Sequence, residues 1–266
     1  MPPRRRVNHD GWLGTVRSVI TLLGFLLLYA PLAVVILYSV FVKVGAAPRF
    51  WSFQGYQKVF ENPDIVAAIS RSLEIGVMTA LIATPVGTLF SLGFVRNEFR
   101  FKGVMNALLS LPLLLPELLL GLALLLWFVM LKVTLGVWSI TLAHVTFSVS
   151  YVVLTVRARL EGLDRQLEEA ARDLGANRLQ CLLKVTLPLL MPAIVAGALI
   201  AFTLSFDDFL VTFFTSGVGS DTLPLKLYSM VRYQPEAEVN ALSTLTLLVT
   251  ASLALAVNLV SGLKRR

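Results

Sequence analysis

Residues Val185–Phe214 read VTLPLLMPAIVAGALIAFTLSFDDFLVTFF. Across these 30 residues the only charged side chains are the adjacent Asp207 and Asp208. A helix that crosses a hydrocarbon layer needs about 20 apolar residues, and core helices of soluble proteins are usually shorter. The stretch is therefore expected to span a membrane, with two carboxylates inside the span.

Working outward, five more stretches qualify: Val19–Val42, Ile69–Val95, Val104–Leu131, Leu135–Val156 and Ala241–Leu263. Composition agrees. Of 266 residues, 56% are hydrophobic and 15% charged, and mean hydropathy is +0.78. A soluble globule of this size cannot bury that much apolar surface. A single cysteine and 12 prolines exclude a disulfide scaffold and collagen. The first span is not read as a cleavable signal peptide, because its apolar run continues past Pro31 to Phe41 without a small-x-small site.

The net charge of +7 is read as topology rather than as a nucleic-acid surface. With the N-terminus inside, 16 basic residues fall on the inner side: Arg4, Arg5, Arg6, Arg17, Arg96, Arg100, Lys102, Arg157, Arg159, Arg165, Arg172, Arg178, Lys184, Lys264, Arg265 and Arg266. Only 7 fall outside: Lys43, Arg49, Lys58, Arg71, Lys132, Lys226 and Arg232. Both termini are accordingly expected to be cytoplasmic. The layout expected is a cytoplasmic segment 1–18, a membrane domain 19–263 containing an inner loop 157–184, and a short cytoplasmic end 264–266. No nucleic-acid partner is expected, and membrane lipid is.

The inner loop, Asp164–Lys184, reads DRQLEEAARDLGANRLQCLLK. Glu168 and Arg172 stand at helical i,i+4 spacing, and Ala170, Ala171 and Leu174 form a small apolar strip. Gly175 is placed to cap this helix before a second one with Leu179, Leu182 and Leu183 on its face. Balanced charges fit a protein-docking element better than a lipid-bound helix, which would show a one-sided basic face. A solvated loop helix without a partner is the alternative on periodicity alone.

Three acids lie at depth. Asp207 is 15 residues beyond Pro192, roughly 22 Å along a helix and in the outer half of the layer. A carboxylate at mid-span costs about 2.5–3.5 kcal/mol, so at least one of the pair is expected on a hydrated pathway or subunit seam. Neighbours on a helix diverge by about 100°, so one of Asp207 and Asp208 lines the path while the other meets a neighbouring helix. Glu117 follows Pro112 and Pro116, where a broken backbone needs water or protein to satisfy it. The alternative for each acid is a carboxyl kept protonated or bonded inside the bundle.

Phe202, Phe206, Phe209 and Phe213 recur at helical spacing and are mostly packing. Phe206 and Phe209 are the rings taken to face a desolvated cation beside the acids. Negative charge with rings, in spans nearly free of Lys and Arg, points to a cationic cargo. His144 stands without a second His or Cys nearby and reads as a satisfied bundle histidine rather than a metal ligand. No catalytic residues, metal site or bound cofactor are expected. The sequence carries no Gly-x4-Gly-Lys-Ser/Thr phosphate loop, so ATP is not expected to be hydrolysed by this chain. The stretches Leu111–Pro116 and Leu187–Pro192 echo each other as Leu-Pro-Leu-Leu-x-Pro, a helix-breaking device used twice.

Glu169-Ala170-Ala171, then Gly175, Val185 and Leu187-Pro188 at their spacing, resembles the EAA signature of ABC importer permeases, with Val185 in place of Ile. The runs His144–Val153, Leu167–Leu179, Leu199–Asp208, Thr222–Arg232 and Pro235–Thr244 resemble the spermidine/putrescine importers of that class, in particular the permease half usually called the C-type subunit. Close relatives have Pro-Asp where this chain has Pro116-Glu117, a longer arm carrying the same charge. The resemblance implies an all-α type I permease fold with six transmembrane helices, its core about residues 66–260. It implies that Glu169, Ala170, Ala171, Gly175, Leu187 and Pro188 belong to a coupling element seated on a cytosolic ATPase. It further implies a B-type permease partner forming a heterodimer, two ATPase subunits holding ATP and magnesium, and a periplasmic or lipid-anchored polyamine-binding protein. The location implied is a bacterial inner membrane, with import by alternating access. Import of another cationic or amino-acid-like solute, or of ferric ion, by the same machinery stays open, as does a proton-coupled secondary carrier using the same carboxylates.

Overall fold

The computed structural model of the chain describes residues 11–42, 50–98, 100–233 and 236–262. The basic residues Arg4–Arg6, Lys43, Arg49 and Lys264–Arg266 lie outside the described residues, as does Pro235. The chain divides into two compact units, residues 1–59 with 234–245, and residues 60–233 with 246–266.

The first unit opens on α1 (Gly11–Val40), apolar all round and outward-facing, as a lipid-facing helix requires. Two-residue strands β1 (Phe41–Val42) and β2 (Phe50–Trp51) pair antiparallel, a small exception to the all-α expectation. Helix α2 (Gln54–Glu61) follows, and Tyr56 shares a 2.7 Å hydroxyl bond with Ser39.

In the second unit α3 (Pro63–Arg96) begins six residues earlier than hydropathy indicated. The Asn62 side chain accepts the N–H of Asp64 at 3.0 Å, and Pro63 opens the first turn. Then come α4 (Lys102–Leu114), α5 (Glu117–Met130), α6 (Val137–Glu161), α7 (Gln166–Asp173) and α8 (Arg178–Cys181). A π-turn (Leu182–Thr186) leads into α9 (Leu187–Asp207), followed by α10 (Leu210–Thr215) and α11 (Leu223–Tyr233), while α12 (Glu236–Gly262) begins in the first unit and ends in the second. The π-turn sits just before Pro188, and the Leu187 N–H reaches back five residues to the Leu182 carbonyl.

The core packs α3, α6 and α9 around Ala83, Val152, Val156, Leu160, Leu190 and Ala201. Small residues let these helices approach closely, the means of association that membrane helices use. At Gly87 a methyl group would stand 2.7 Å from the Val152 side chain, so only glycine permits that crossing. A second cluster, Leu120, Phe128, Ala143, Phe147 and Val211, joins α5 and α10 to α6.

Two spans expected as single helices are broken. The third, Val104–Leu131, is α4 and α5, bent by 111°. Leu115 precedes Pro116 and is extended (ψ 139°), because the proline ring excludes the helical conformation for the residue before it. The fifth, Val185–Phe214, stops at Asp207 and restarts at Leu210. Asp208 is extended there (ψ 128°), and its side chain binds the N–H of Thr212, competing with helical hydrogen bonding.

Contacts fix which ends lie together. At one end Arg96 pairs with Glu168, and Arg157 donates to Asn106 on α4 at 2.9 Å. At the other, Arg71 donates to the Asp221 carbonyl at 2.9 Å, the Leu223 N–H to Ser72 at 2.8 Å, and Ser139 to the Thr215 carbonyl at 2.8 Å. The chain enters α4 at the first end and leaves α5 for α6 at the second. The bent pair therefore makes one traverse. Counted as one span, it brings the candidate membrane spans among the described residues to six by length and composition, five of them single helices.

Candidate functional site

The two breaks face each other. Pro112 and Glu117 from the α4–α5 corner, Asp207, Asp208 and Phe209 from the α9–α10 corner, and Phe147 and Tyr151 from α6 line a cavity of about 360 Å3. Leu120, Leu204, Leu210 and Val211 complete the wall, and none of the lining residues is basic. The volume falls in the range of small-molecule sites, about 300–1,000 Å3.

The acids divide their work. Asp207 ends α9 and is exposed, and Glu117 is exposed in the first turn of α5. A carboxylate is favoured at that helix start by the unpaired N–H groups. The Asp208 side chain is only 7% exposed and is engaged through Oδ2. Its Oδ2 accepts the Thr212 N–H at 2.7 Å and the Thr212 hydroxyl at 2.8 Å, and stands 3.3 Å from His144 Nε2. His144 is completely buried, as expected of a bundle histidine, with Nδ1 2.7 Å from Ser205 Oγ and Nε2 3.0 Å from Thr212 Oγ1. Ser205 in turn donates to Thr79 at 3.2 Å. A polar chain thus runs from α3 through α9 and α6 to the head of α10.

Of the rings expected at the site, Phe209 lines the cavity and packs at a tilt of 45° against Tyr228 of α11 with centroids 4.9 Å apart. Phe206 is not brought there. It is buried and stacked on Phe202, 5.8 Å away, on the packing side of α9. Phe147 and Tyr151 were missed by sequence reasoning, although with His144 they share one face of α6 at i, i+3 and i+7.

The inner loop forms the two short helices expected. Gly175 has φ +89°, its N–H donates to the Arg172 carbonyl, and the Ala176 N–H reaches the Ala171 carbonyl at 3.0 Å. This double bond pattern is a Schellman cap, which glycine adopts without strain. Asn177 then caps α8, exchanging hydrogen bonds with Gln180. Glu169 and Ala170 are exposed, Ala171 half-buried, and Leu174 and Leu179 stand out at 90% and 63% exposure. Leu187 and Pro188 form the first turn of α9.

Glu168, although at i,i+4 spacing from Arg172, bonds elsewhere. Its two carboxylate oxygens take both terminal nitrogens of Arg96, and Thr186 donates to it at 2.6 Å. The bidentate Arg96 fork holds the Glu168 carboxyl below its ordinary range. This pairing went unseen because its partner lies 72 residues earlier in the chain.

Residues 83–265 match the family described as "Binding-protein-dependent transport system inner membrane component". The chain belongs to this family of inner-membrane permeases. It is 41% identical over 243 residues to the putrescine transport system permease protein PotI of Escherichia coli (strain K12), covering 87% of this chain and 85% of that one. It is 35% identical over 248 residues to the spermidine/putrescine transport system permease protein PotC of Haemophilus influenzae, covering 92% and 96%. In fold it resembles a chain of a bacterial ABC transporter involved in import of the acidic polysaccharide alginate, with TM-score 0.75, 17% identity, and 97% and 98% coverage. The all-α membrane fold of ABC importer permeases is thereby shown, and a proton-coupled secondary carrier is left without support.

Proposed function

We propose that this chain is one permease half of an ATP-driven polyamine importer, releasing putrescine or spermidine past Glu117 and Asp207. The carrying observation is the cavity where both helix breaks meet. It brings three carboxylates together with Phe209, Phe147 and Tyr151 and holds no basic side chain. Ammonium groups of a polyamine are met there by carboxylates and ring faces in a setting of reduced hydration. The similarity to putrescine and spermidine permeases supports the same cargo.

A homologous permease pairs with the chain, and a periplasmic or lipid-anchored binding protein docks on its outer loops. The loop carrying Glu169, Ala170, Ala171 and Gly175 seats on one of two ATPase subunits, which hold ATP and magnesium. Both termini are cytoplasmic in this arrangement. ATP binding closes the ATPases and opens the cavity outward, and hydrolysis resets it.

Uptake of labelled putrescine and spermidine by cells depending on this permease tests the reading. Asp207→Asn and Glu117→Gln should each lower uptake at least tenfold with the protein still in the membrane. Unchanged uptake in the double variant would remove the carboxylates from the pathway. Uptake that ignores both polyamines while another cation competes would reassign the cargo.

A further inference from the structure

We infer that Glu168 is the positioning residue through which movement of α7 reaches the spanning helices. Its carboxylate joins α7 at once to Arg96, at the end of α3, and to Thr186, at the head of α9. The inference rests on the proposed reading that the inner loop receives an ATPase.

Among the described residues, the hydrogen bonds and ion pairs that tie α7 to the spanning helices are those of Glu168. Gln166 and Glu169 bond within the loop, and the Gly175 cap closes α7 on itself. Arg165, Glu169 and Arg172 line an open recess of about 250 Å3 beside the pair. Glu168 alone in α7 is buried, at 8% exposure. A bidentate carboxylate–guanidinium pair fixes orientation as well as distance, so it conveys rotation as well as displacement. Single hydrogen bonds between exposed side chains convey neither.

Both connections lead to the acidic cavity. From Thr186 the helix α9 runs unbroken to Asp207. From Arg96, α3 leads back to Thr79, which accepts from Ser205, two residues before Asp207. Tilting α7 therefore moves the two helices that meet behind Asp207 and Asp208 together. Glu169, next in sequence but exposed, is free for the ATPase. Neighbouring glutamates thus take separate tasks, one facing the ATPase and one facing the membrane helices.

The test uses the assembled transporter purified with its ATPase, reconstituted in liposomes and supplied with loaded binding protein. E168Q, T186V and the exchange R96E with E168R are compared with wild type for bound ATPase, ATP hydrolysis and polyamine taken up per ATP. E168Q should retain the ATPase and lose at least tenfold in uptake per ATP. T186V should lose two- to threefold, and the exchange should recover most of the loss. Wild-type uptake per ATP in E168Q overturns the inference. Loss of bound ATPase in E168Q also overturns it, since Glu168 would then serve docking. If the exchange fails to assemble, E168Q and T186V decide by the same ratio. Wild-type chain purifying without any ATPase would sink the proposed function itself, and with it this inference.

Discussion

Asp207 and Asp208 are chemically identical neighbours with opposite environments, and their substitutions should separate. Removing the Asp208 carboxylate strands the Thr212 N–H and leaves His144 Nε2 with a poorer partner, both in the interior. Each unsatisfied buried group costs about 1–3 kcal/mol. Asp208→Ala is therefore expected to lower the thermal unfolding midpoint of the detergent-solubilised protein and reduce its yield. The exposed Asp207 side chain makes no such bonds to interior groups among the described residues, so Asp207→Ala should keep the folding stability within about 0.5 kcal/mol of wild type while abolishing uptake. A shared loss of stability in both variants would contradict this division. The sequence made the contrast legible only in outline. Helical geometry requires that adjacent acids point apart, but which one is buried depends on His144 and Thr212, which hydropathy treats as minor interruptions of apolar spans.

At the level of elements, two features of the inner loop can be measured separately. Gly175→Ala puts a Cβ into open space, yet φ +89° strains any ordinary side chain by about 1 kcal/mol. Amide exchange at Gly175 and Ala176 should accelerate about fivefold in this variant, and less in Gly175→Asn, since asparagine tolerates that conformation. The attachment of α7 has a pH signature. Glu168 has a folded pKa lowered mainly by its hydrogen bonds from Arg96, so the pair's contribution is complete above the ordinary glutamate value of 4.5. It is lost only as pH falls through the lower folded value. Exchange rates in α7, corrected for intrinsic pH dependence, should be flat from pH 8 to 5 and rise only below the ordinary value of 4.5. A rise between pH 7 and 5 would show that another group holds the helix. The helices and cap of this loop were readable because spacing and Gly175 are local signals. The Glu168–Arg96 pair was not, because the nearby Arg172 satisfies the same pattern on paper, and only the approach of α3 to α7 decides between them. The helix breaks fall between these cases. Paired prolines and paired acids marked both sites, but a mean over apolar residues does not register a corner.

For the molecule as a whole, the decisive quantity is the number of traverses, because every loop's side of the membrane follows from it. A pair bent by 111° is compatible with one crossing or with a re-entrant hairpin when length and composition alone are considered. The contacts at the two ends favour a crossing. Asn106 of α4 lies with Arg157 and the inner loop, whereas α6 begins beside Thr215 and the segment leading to α11. Lys132, just after α5, should then lie opposite Leu174 of the inner loop. Cysteine labelling can read this directly, since the sole native cysteine, Cys181, is buried and can be replaced by serine. In that background Lys132→Cys and Asp221→Cys should react with a membrane-impermeant maleimide applied to spheroplasts. Leu174→Cys, 90% exposed, should react only after permeabilisation. A re-entrant α4–α5 would put Lys132 on the same side as Leu174, and the two would label together. The same experiment tests the charge asymmetry, for protection of Leu174 in sealed spheroplasts places the arginine-rich connections Arg96–Lys102 and Arg157–Lys184 inside, where basic residues accumulate during insertion.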